Sequence, residues 1–423
     1  MPEGGDGGPK LFSADEIARM WQAQQVRFTG DAAELLARIA NRPGRGSLAW
    51  SASSSGSRRW RRQAGGCRVG LGAPAPVMKD PLTSPTPDNP LRVLAVTRKP
   101  DSPSFEQRVL RHVEPLASRG VAVSTHRFDG AALPEVAGFD AVWWHRGLLG
   151  PLQLHRLRRL RRHGPPIVLD FDDPLPYSAK GGGRPSLTRR LKFRGLVRSV
   201  DAAMAGSRTL AGLAEPWCRD VTVVPMAVDL LGPSDEEQPA VGGDNDGAVS
   251  LVWVGSPATR PYLEAILPAI IDAASGRRRP RVRLRVVAHR PIEAEGVAVH
   301  YEPWSPEAED AALRSGDVGL CPMPDTPWTR GKCPYKALQY MAHGLAWIGS
   351  DVGENRVTAG PGGERALLAG DRASWVEAIR ALADDAPRRR KMGAAGRAYV
   401  EANHSRTAVA EKIAGVFRRV AGR

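Results

Sequence analysis

Cysteine is scarce in this sequence: there are four in 423 residues, and Cys67, Cys218, Cys321 and Cys333 form no Cys-x-x-Cys pair and have no histidines at zinc-ligand spacing. That pattern excludes a disulfide scaffold, argues against a structural metal, and predicts reduced thiols in a cytoplasmic protein. Long apolar runs are also missing. Nothing approaches the roughly 20 residues a membrane-crossing helix needs, and the first residues lack a charged-then-apolar leader pattern. Membrane association is therefore expected only at the periphery, on the inner face. Acidic side chains are the minority, 45 against 60 Lys and Arg, which leaves a formal net charge of +15. Such an excess favours anionic partners (phosphates, nucleic acid or acidic lipid) without choosing among them.

What is abundant is proline and glycine, 36 and 45 residues, and total length beyond what one hydrophobic core serves. Both point to globular halves joined and flanked by irregular segments. Residues 1–90 stand apart as an extension that is mostly disordered by composition, with a Ser/Gly/Arg stretch over 51–66 and proline-spaced residues over 81–90. One or two short helices are expected within 13–40, where Ser13 and Glu16 form a capping box ahead of Ile17, Met20 and Trp21. A functional arm and a dispensable extension, with Met78 as an alternative start, both remain open.

From Leu91 onward, short apolar runs alternate with helical patterns, the signature of parallel βα units. Strands are expected at 91–97, 121–127, 140–144, 167–171, 201–205 and 221–225, with helices at 104–119 and 207–214. These make a first Rossmann-like domain over 91–229. An acidic, Gly-rich segment over 230–247 is the linker candidate. A second series then restarts, with strands at 249–254, 282–288, 297–301, 318–323 and 346–349 and helices at 262–274, 307–315 and 334–342. It defines a second Rossmann-like domain over 248–404, and 405–423 is read as a helix that is a candidate to pack back on the first domain. Two such domains place a cleft between them, and their ligands bind beyond the carboxyl ends of the strands.

The richest chemistry lies in Cys321-Pro-Met-Pro-Asp-Thr-Pro-Trp-Thr-Arg-Gly-Lys-Cys-Pro-Tyr-Lys-Ala-Leu-Gln-Tyr-Met-Ala-His-Gly344, a strand end running through a loop into a helix. Pro334 suits the first helical turn, and open backbone N–H groups between Gly331 and Tyr335 would sit at the positive end of the helix. Lys332 and Lys336, four apart, share a face with Arg330 beside them, so three cations are expected to converge where a diphosphate could dock. A solvated basic helix start is the plainer alternative.

This segment resembles the donor-site region of group 1 glycosyltransferases with the GT-B fold. The resemblance extends from about 91 to 405 through Trp253-Val-Gly-Ser-Pro, Asp201-Ala-Ala-Met-Ala-Gly-Ser207, Val223-Val-Pro-Met-Ala-Val-Asp229, Gly344-Leu-Ala-Trp-Ile-Gly-Ser350 and Val352-Gly-Glu-Asn355. It implies that the second domain holds a nucleoside diphosphate sugar as co-substrate and the first holds the acceptor. By the same resemblance, Gly255 and Ser256 face the diphosphate, Lys332 and Lys336 neutralise it, and Gln339 lies near the ribose; Arg260, Asp325, Arg330 and Gly331 are read beside them as donor-side residues. The family usually shows two glutamates eight positions apart where this chain has Gly331 and Gln339. An amide can still bond ribose hydroxyls, but the carboxylates are gone.

In the first domain, Ile167-Val-Leu-Asp-Phe-Asp-Asp-Pro174 sets three carboxylates at a strand end, with Asp170 and Asp172 on one side and Asp173 opening the loop. They are read as facing the cleft, with Asp172 and Asp173 binding the acceptor or acting as general base. The plainer alternative is turn capping and pairing with nearby arginines. A magnesium-type Asp-x-Asp site is less favoured, since the segment lies in the acceptor half. Trp143-Trp-His-Arg146 offers His145 as a candidate base and Arg146 as an anion clamp. Arg98, Lys99 and Ser104 follow the first strand and should line the same cleft.

Two basic stretches, 154–163 and 187–198, add a surface theme: Leu187 and Leu191 fall at helical spacing among arginines, as in helices that rest on anionic membranes. Inward packing of that stripe is the alternative. Nucleic acid is not favoured, because no aromatic platform accompanies the charge. The acceptor is expected to be a glycan, lipid or small molecule. A non-catalytic nucleotide- or polymer-binding protein and a basic membrane adaptor are the competing classes.

Overall fold

The computed structural model describes residues 89–130, 133–178, 183–230, 247–275 and 282–422, all within one compact unit. The helices expected over 13–40 and most of the 230–247 linker lie outside those residues.

Two six-stranded, all-parallel sheets organise the chain. The first runs β2-β1-β3-β4-β5-β6, from β1 (Leu91–Thr97), β2 (Val121–Arg127), β3 (Ala141–His145), β4 (Ile167–Phe171), β5 (Ala202–Ala205) and β6 (Asp220–Val223). The second runs β12-β11-β10-β7-β8-β9, from β7 (Val249–Gly255), β8 (Val282–Ala288), β9 (Ala298–Pro303), β10 (Val318–Cys321), β11 (Ala346–Ser350) and β12 (Ala366–Ala369). Every residue of β3, β4, β5 and β7 is buried. That is why these strands appear in the sequence as unbroken apolar runs: helices cover both faces of a parallel sheet. The strand order reverses between β1 and β3 in the first sheet and between β7 and β10 in the second. At such a switch point the loops diverge and leave a crevice, which marks the ends of these four strands as the places to look for ligands.

The helices depart from expectation where proline intervenes. The region read as one helix over 104–119 is α1 (Pro103–Arg108), a 3-10 turn (Leu110–His112) and α2 (Val113–Ala117). Pro115 has no N–H and clashes with the carbonyl four residues back, so it is tolerated only in the first turn of a new helix. Pro268 splits 262–274 in the same way, into α6 (Arg260–Glu264) and α7 (Leu267–Ala274). The first sheet also carries α3 (Pro151–His163), α4 (Leu187–Val197) and α5 (Arg208–Ala214). On the second are α8 (Pro306–Arg314), α9 (Pro327–Arg330), α10 (Tyr335–Ala342), α11 (Glu354–Ala359), α12 (Arg372–Asp384) and α13 (Ala386–His404).

The last helix, α14 (Arg406–Val420), returns to the first sheet. Val409, Ile413 and Phe417 are buried in one cluster with Leu91, Val93 and Trp143, and the rings of Phe417 and Trp143 lie 5.3 Å apart. The two passages of chain between the sheets lie side by side: Val228 pairs with Ser405, and the Val228 N–H donates to the His404 carbonyl at 2.9 Å.

Burial has a measurable consequence for pH. It holds His112 down at about 3 and His145 and His404 at about 4, so all three are neutral in the fold. The unfolded chain takes up those protons near pH 6.5, so unfolding is coupled to proton uptake and stability falls as pH drops from 6.5 towards 4. Urea midpoints should be level between pH 7 and 8 and decline steadily between 6.5 and 4.5. A midpoint that does not move over that lower window would contradict neutral burial of these rings.

Candidate functional site

The ends of β1, β3 and β4 converge on one hydrogen-bonded chain. His145 closes β3 and is 3% exposed. Its Nδ1 lies 3.3 Å from Thr97 Oγ1 at the end of β1, and its Nε2 lies 3.0 Å from Ser104 Oγ in α1. Ser104 in turn donates to Asp172 Oδ2 at 2.9 Å. Because the Ser104 proton goes to the carboxylate, the hydroxyl accepts from Nε2–H, and Nδ1 accepts from Thr97. Burial pushes His145 down to about 4 despite Asp170 and Asp172 nearby, so the ring stays neutral. His145 therefore does not open to the cleft as a base. It holds Ser104, which holds Asp172.

Asp170 is another correction. Its carboxylate is fully buried and bonds both Nε and Nη2 of Arg108, while Arg108 Nη1 donates to the Val224 carbonyl at 2.6 Å. Of the three carboxylates expected to face the cleft, Asp170 is sealed in the core, while Asp172 and Asp173 keep 14% and 16% of their side-chain surface exposed. Arg146 serves both: one guanidinium nitrogen lies 3.3 Å from Asp172 Oδ1 and the other bonds Asp173 Oδ2. Arg146 is the one described non-glycine residue with positive φ, at 53°. A backbone conformation that costs free energy persists only where the surroundings enforce it, and it is concentrated at functional positions. Opposed by burial, the Arg146 and Arg108 charges and the Ser104 hydrogen bond hold the Asp172 carboxyl below its ordinary range. Among the described residues, no group of three His, Cys, Asp or Glu could hold a metal ion. Arg98 and Lys99 are exposed just past β1, with the Arg98 guanidinium 5.5 Å over the Phe128 ring.

On the facing domain, the loop after β10 is more structured than expected. Thr326 caps the short helix α9, and the turn that closes it uses the backbone N–H groups of Gly331 and Lys332 on the Thr329 carbonyl. Tyr335 N–H bonds the Cys333 carbonyl at 2.9 Å. Three donors expected to be open to an anion are thus taken internally. The cations also diverge: Arg330 forms a two-pronged surface pair with Asp325 at 2.6 and 2.9 Å, and Arg260 pairs with Glu264 at 2.6 Å. Two cations remain near the cleft. Lys332 reaches across it to within 3.7 Å of Asp173 Oδ1 and lies 5.6 Å from the Trp328 ring centroid. Lys336 is half-buried, 5.8 Å from the Trp253 centroid and 3.4 Å from Thr259 Oγ1, which places it against the loop that follows β7. Burial lowers its pKa, with Lys332 adding to the effect and Cys321 and Glu309 opposing it.

The glycines have packing reasons. A Cβ on Gly255, which is buried, would enter the Trp253 ring, so that residue is set by the β7 core, while Ser256 is exposed. A Cβ on Gly331 would stand 3.0 Å from Leu210 and 3.2 Å from Pro174 of the first domain. That crowding leaves no room for a glutamate. The Gly331 carbonyl instead accepts from Ser207 Oγ at 3.3 Å, and Glu354 accepts from both Thr209 N and Oγ1 at 3.1 and 3.0 Å. The domains therefore meet directly around α9. Glu354 lies in the Val352-Gly-Glu-Asn355 motif, and its clasp role is not legible there because its partner Thr209 is 145 residues away.

Gln339 does not face solvent alone. Its amide bonds Glu309 on α8, whose other oxygen accepts from Trp304 Nε1 at 2.7 Å. In the sequence Glu309 is one acidic residue of a helix start and belongs to no motif. An amide at 339 that requires an acceptor is the only signal that could have pointed to it.

Residues 248–385 match the family model of glycosyl transferases group 1. A comparison with the curated proteins finds no match. Among solved structures, sucrose-phosphate synthase from Thermosynechococcus elongatus is similar in fold, with 16% identity, a TM-score of 0.60, and coverage of 78% of this chain and 99% of that one. HepE from Anabaena, solved in complex with UDP-glucose, has 14% identity and a TM-score of 0.52 over 78% of this chain and 99% of its own. A glycosyltransferase from Rickettsia africae has 9% identity and a TM-score of 0.55 over 78% and 99%.

Proposed function

We propose that the chain is a group 1 glycosyltransferase of the GT-B type, on the family match of residues 248–385 and the two-sheet fold, and that it moves a sugar from a nucleoside diphosphate sugar to an acceptor hydroxyl in the cleft between its two domains. The observation that carries this reading is the facing of two sets of groups. Lys332 and Lys336 stand at the ends of β7 and β10, and the Asp172, Asp173 and Arg146 cluster stands at the ends of β3 and β4. The lysines lie by the switch point of the second sheet, between β7 and β10, and Arg146, just past β3, borders that of the first, with the two carboxylates one strand further on.

Chemically, the two lysines would meet the charge that develops on the departing diphosphate. An incoming phosphate competes with Asp173 for Lys332, which frees Asp173 Oδ1 for the acceptor while Oδ2 stays on Arg146. Asp172, kept ionised by Arg146, Arg108 and Ser104, would orient the acceptor hydroxyl as a hydrogen-bond acceptor, and the same contacts make it a weak base. The donor phosphate is the alternative proton acceptor. An Asp172→Asn variant separates them: loss of turnover by roughly a hundredfold or more with nucleotide affinity intact supports the carboxylate, and turnover within about threefold of the parent removes it from the chemistry.

The acceptor class is read from the outer surface of the first domain. Leu152 on α3 and Leu187 and Leu191 on α4 are 61%, 73% and 57% exposed, while Phe193, Leu196 and Val197 take the inward positions of α4. The stripe thus faces out rather than in. Beside it, Arg158, Arg194 and Arg198 line a hollow of about 500 Å³. Among the described residues no helix is long and apolar enough to cross a membrane. We take this face to rest on an anionic bilayer and the acceptor to be presented there, as a lipid-linked or envelope glycan. Sedimentation with phosphatidylglycerol vesicles should be strong at low salt and weak at high salt, and a Leu187→Glu, Leu191→Glu variant should remain in the supernatant. Equal sedimentation of parent and variant would defeat this assignment.

A further inference from the structure

Position 339 bears an amide where the family resemblance leads one to expect a carboxylate near the ribose. The structure supplies a carboxylate at the same spot from another element. Glu309 lies in the first turn of α8, and it is gripped from two sides. Trp304 Nε1 donates to one oxygen at 2.7 Å and the Gln339 amide donates to the other. Trp304 is itself fixed, with its backbone N–H on the Ala288 carbonyl at 3.0 Å and its ring stacked on His289 at 6.0 Å and 18°. The carboxylate therefore rests on the ends of β8 and β9 and on the face of α10, at the carboxyl edge of the second sheet.

Its neighbours match the layout of a nucleotide. Gln339 lies three residues after Lys336, hence on the same face of α10, and Glu309 is among the charges that favour the ammonium form of Lys336. A phosphate-binding cation and a fixed carboxylate thus stand side by side, as a diphosphate and a ribose do within one molecule. A carboxylate that accepts from two N–H groups keeps lone pairs for two further donors, and a vicinal diol offers two hydroxyls. The amide at 339 also has a reason here. A glutamate there would meet Glu309 with like charge, whereas a glutamine donates to it.

We infer that Glu309, oriented by Trp304 and Gln339, is the carboxylate that binds the 2′,3′-diol of the donor nucleotide, so that the acidic group has moved from α10 to α8 in this chain. Glu309 is the binding residue, and Trp304 and Gln339 are positioning residues. The inference rests on the donor-site assignment above and goes beyond it.

The test is calorimetric titration of the full chain with whichever of UDP, GDP or ADP binds most tightly, and with its 2′,3′-dideoxy counterpart. The parent should bind the dideoxy compound roughly tenfold to a hundredfold more weakly. Glu309→Gln, nearly isosteric, should lower affinity for the ribonucleotide to about that of the dideoxy compound and leave the latter within about twofold. A Glu309→Gln, Gln339→Glu exchange should recover most of the loss, because the carboxylate returns from the other side of the same pair. If Glu309→Gln weakens both compounds equally, its role is structural and the inference falls. It also falls if the parent binds both compounds equally, while the donor site itself stands. If the parent binds no nucleoside diphosphate, the donor-site assignment fails and this inference with it.

Discussion

A Lys332→Met, Lys336→Met variant is expected to bind a nucleoside diphosphate at least about a hundredfold more weakly than the parent, while its affinity for the matching nucleoside without phosphate stays within about threefold. Hydrogen bonds to charged groups contribute about 1.5–3 kcal/mol each, and two such losses correspond to roughly two to four decades in Kd. Neighbouring sites are not additive, so the lower end is the expectation. Methionine keeps an unbranched apolar side chain of similar length and removes the ammonium groups that stand over Trp328 and Trp253. Calorimetry with diphosphate and nucleoside in parallel is the decisive pair. Equal loss of both would mean damaged packing, and no loss of either would remove these lysines from the donor site. Turnover should fall with the diphosphate affinity if the same cations meet the leaving group's charge, as proposed above.

The largest effect on stability is expected at Asp170. Removing it by Asp170→Ala leaves the Arg108 guanidinium, 3% exposed, without its carboxylate. Breaking a buried pair from one side typically costs about 3–5 kcal/mol, which for a protein of this size corresponds to a Tm drop on the order of 10 °C. The double replacement Arg108→Met, Asp170→Leu should recover part of that loss. Full recovery is not expected, because Arg108 also donates to the Val224 and Pro225 carbonyls, and these would be left unpaired. Scanning calorimetry of the three proteins measures this directly. A double variant less stable than Asp170→Ala would show that the carbonyl contacts, and not the ion pair, dominate. The pair links α1, β4 and the end of the first sheet, so its loss should also loosen Asp172 two residues on.

How much of this was legible in the sequence follows from the range of each interaction. β1, β2, β4 and β8 could be read to the residue, β4 as a fully buried run and β1, β2 and β8 from β-branched residues that persist even where Arg92, Arg283, Arg285 and the exposed end of β2 interrupt the apolar pattern. The broken helices were also present in principle: Pro115 and Pro268 dictate a restart, and the apolar periodicity running across them hid it. β10 ends at Cys321, before Pro322 and Pro324, which cannot donate to a ladder. The candidate site was legible as a set of strand-end residues but not as a set of partners. That Arg330 turns to Asp325, that Arg108 takes Asp170, and that His145 reaches Asp172 only through Ser104 are facts of packing. Residue types and spacing do not contain them. Glu309 is the extreme case, since its meaning depends on a glutamine 30 residues later and a tryptophan five residues earlier.

The return of α14 to the first sheet also sets an order of events during synthesis. The Trp143 and Leu91 core is closed by Val409, Ile413 and Phe417, which follow the end of the first sheet only after the whole second domain has been made. The chain crosses out near Met226 and back near His404, 178 residues later. At about 5–20 residues per second a ribosome needs roughly 10–35 s for that stretch. For that interval the first sheet exists with the seat of α14 open and its apolar floor uncovered. The second domain, whose strands and covering helices are contiguous in sequence from β7 to α13, can complete itself first. The half that begins the fold is thus the last to be sealed.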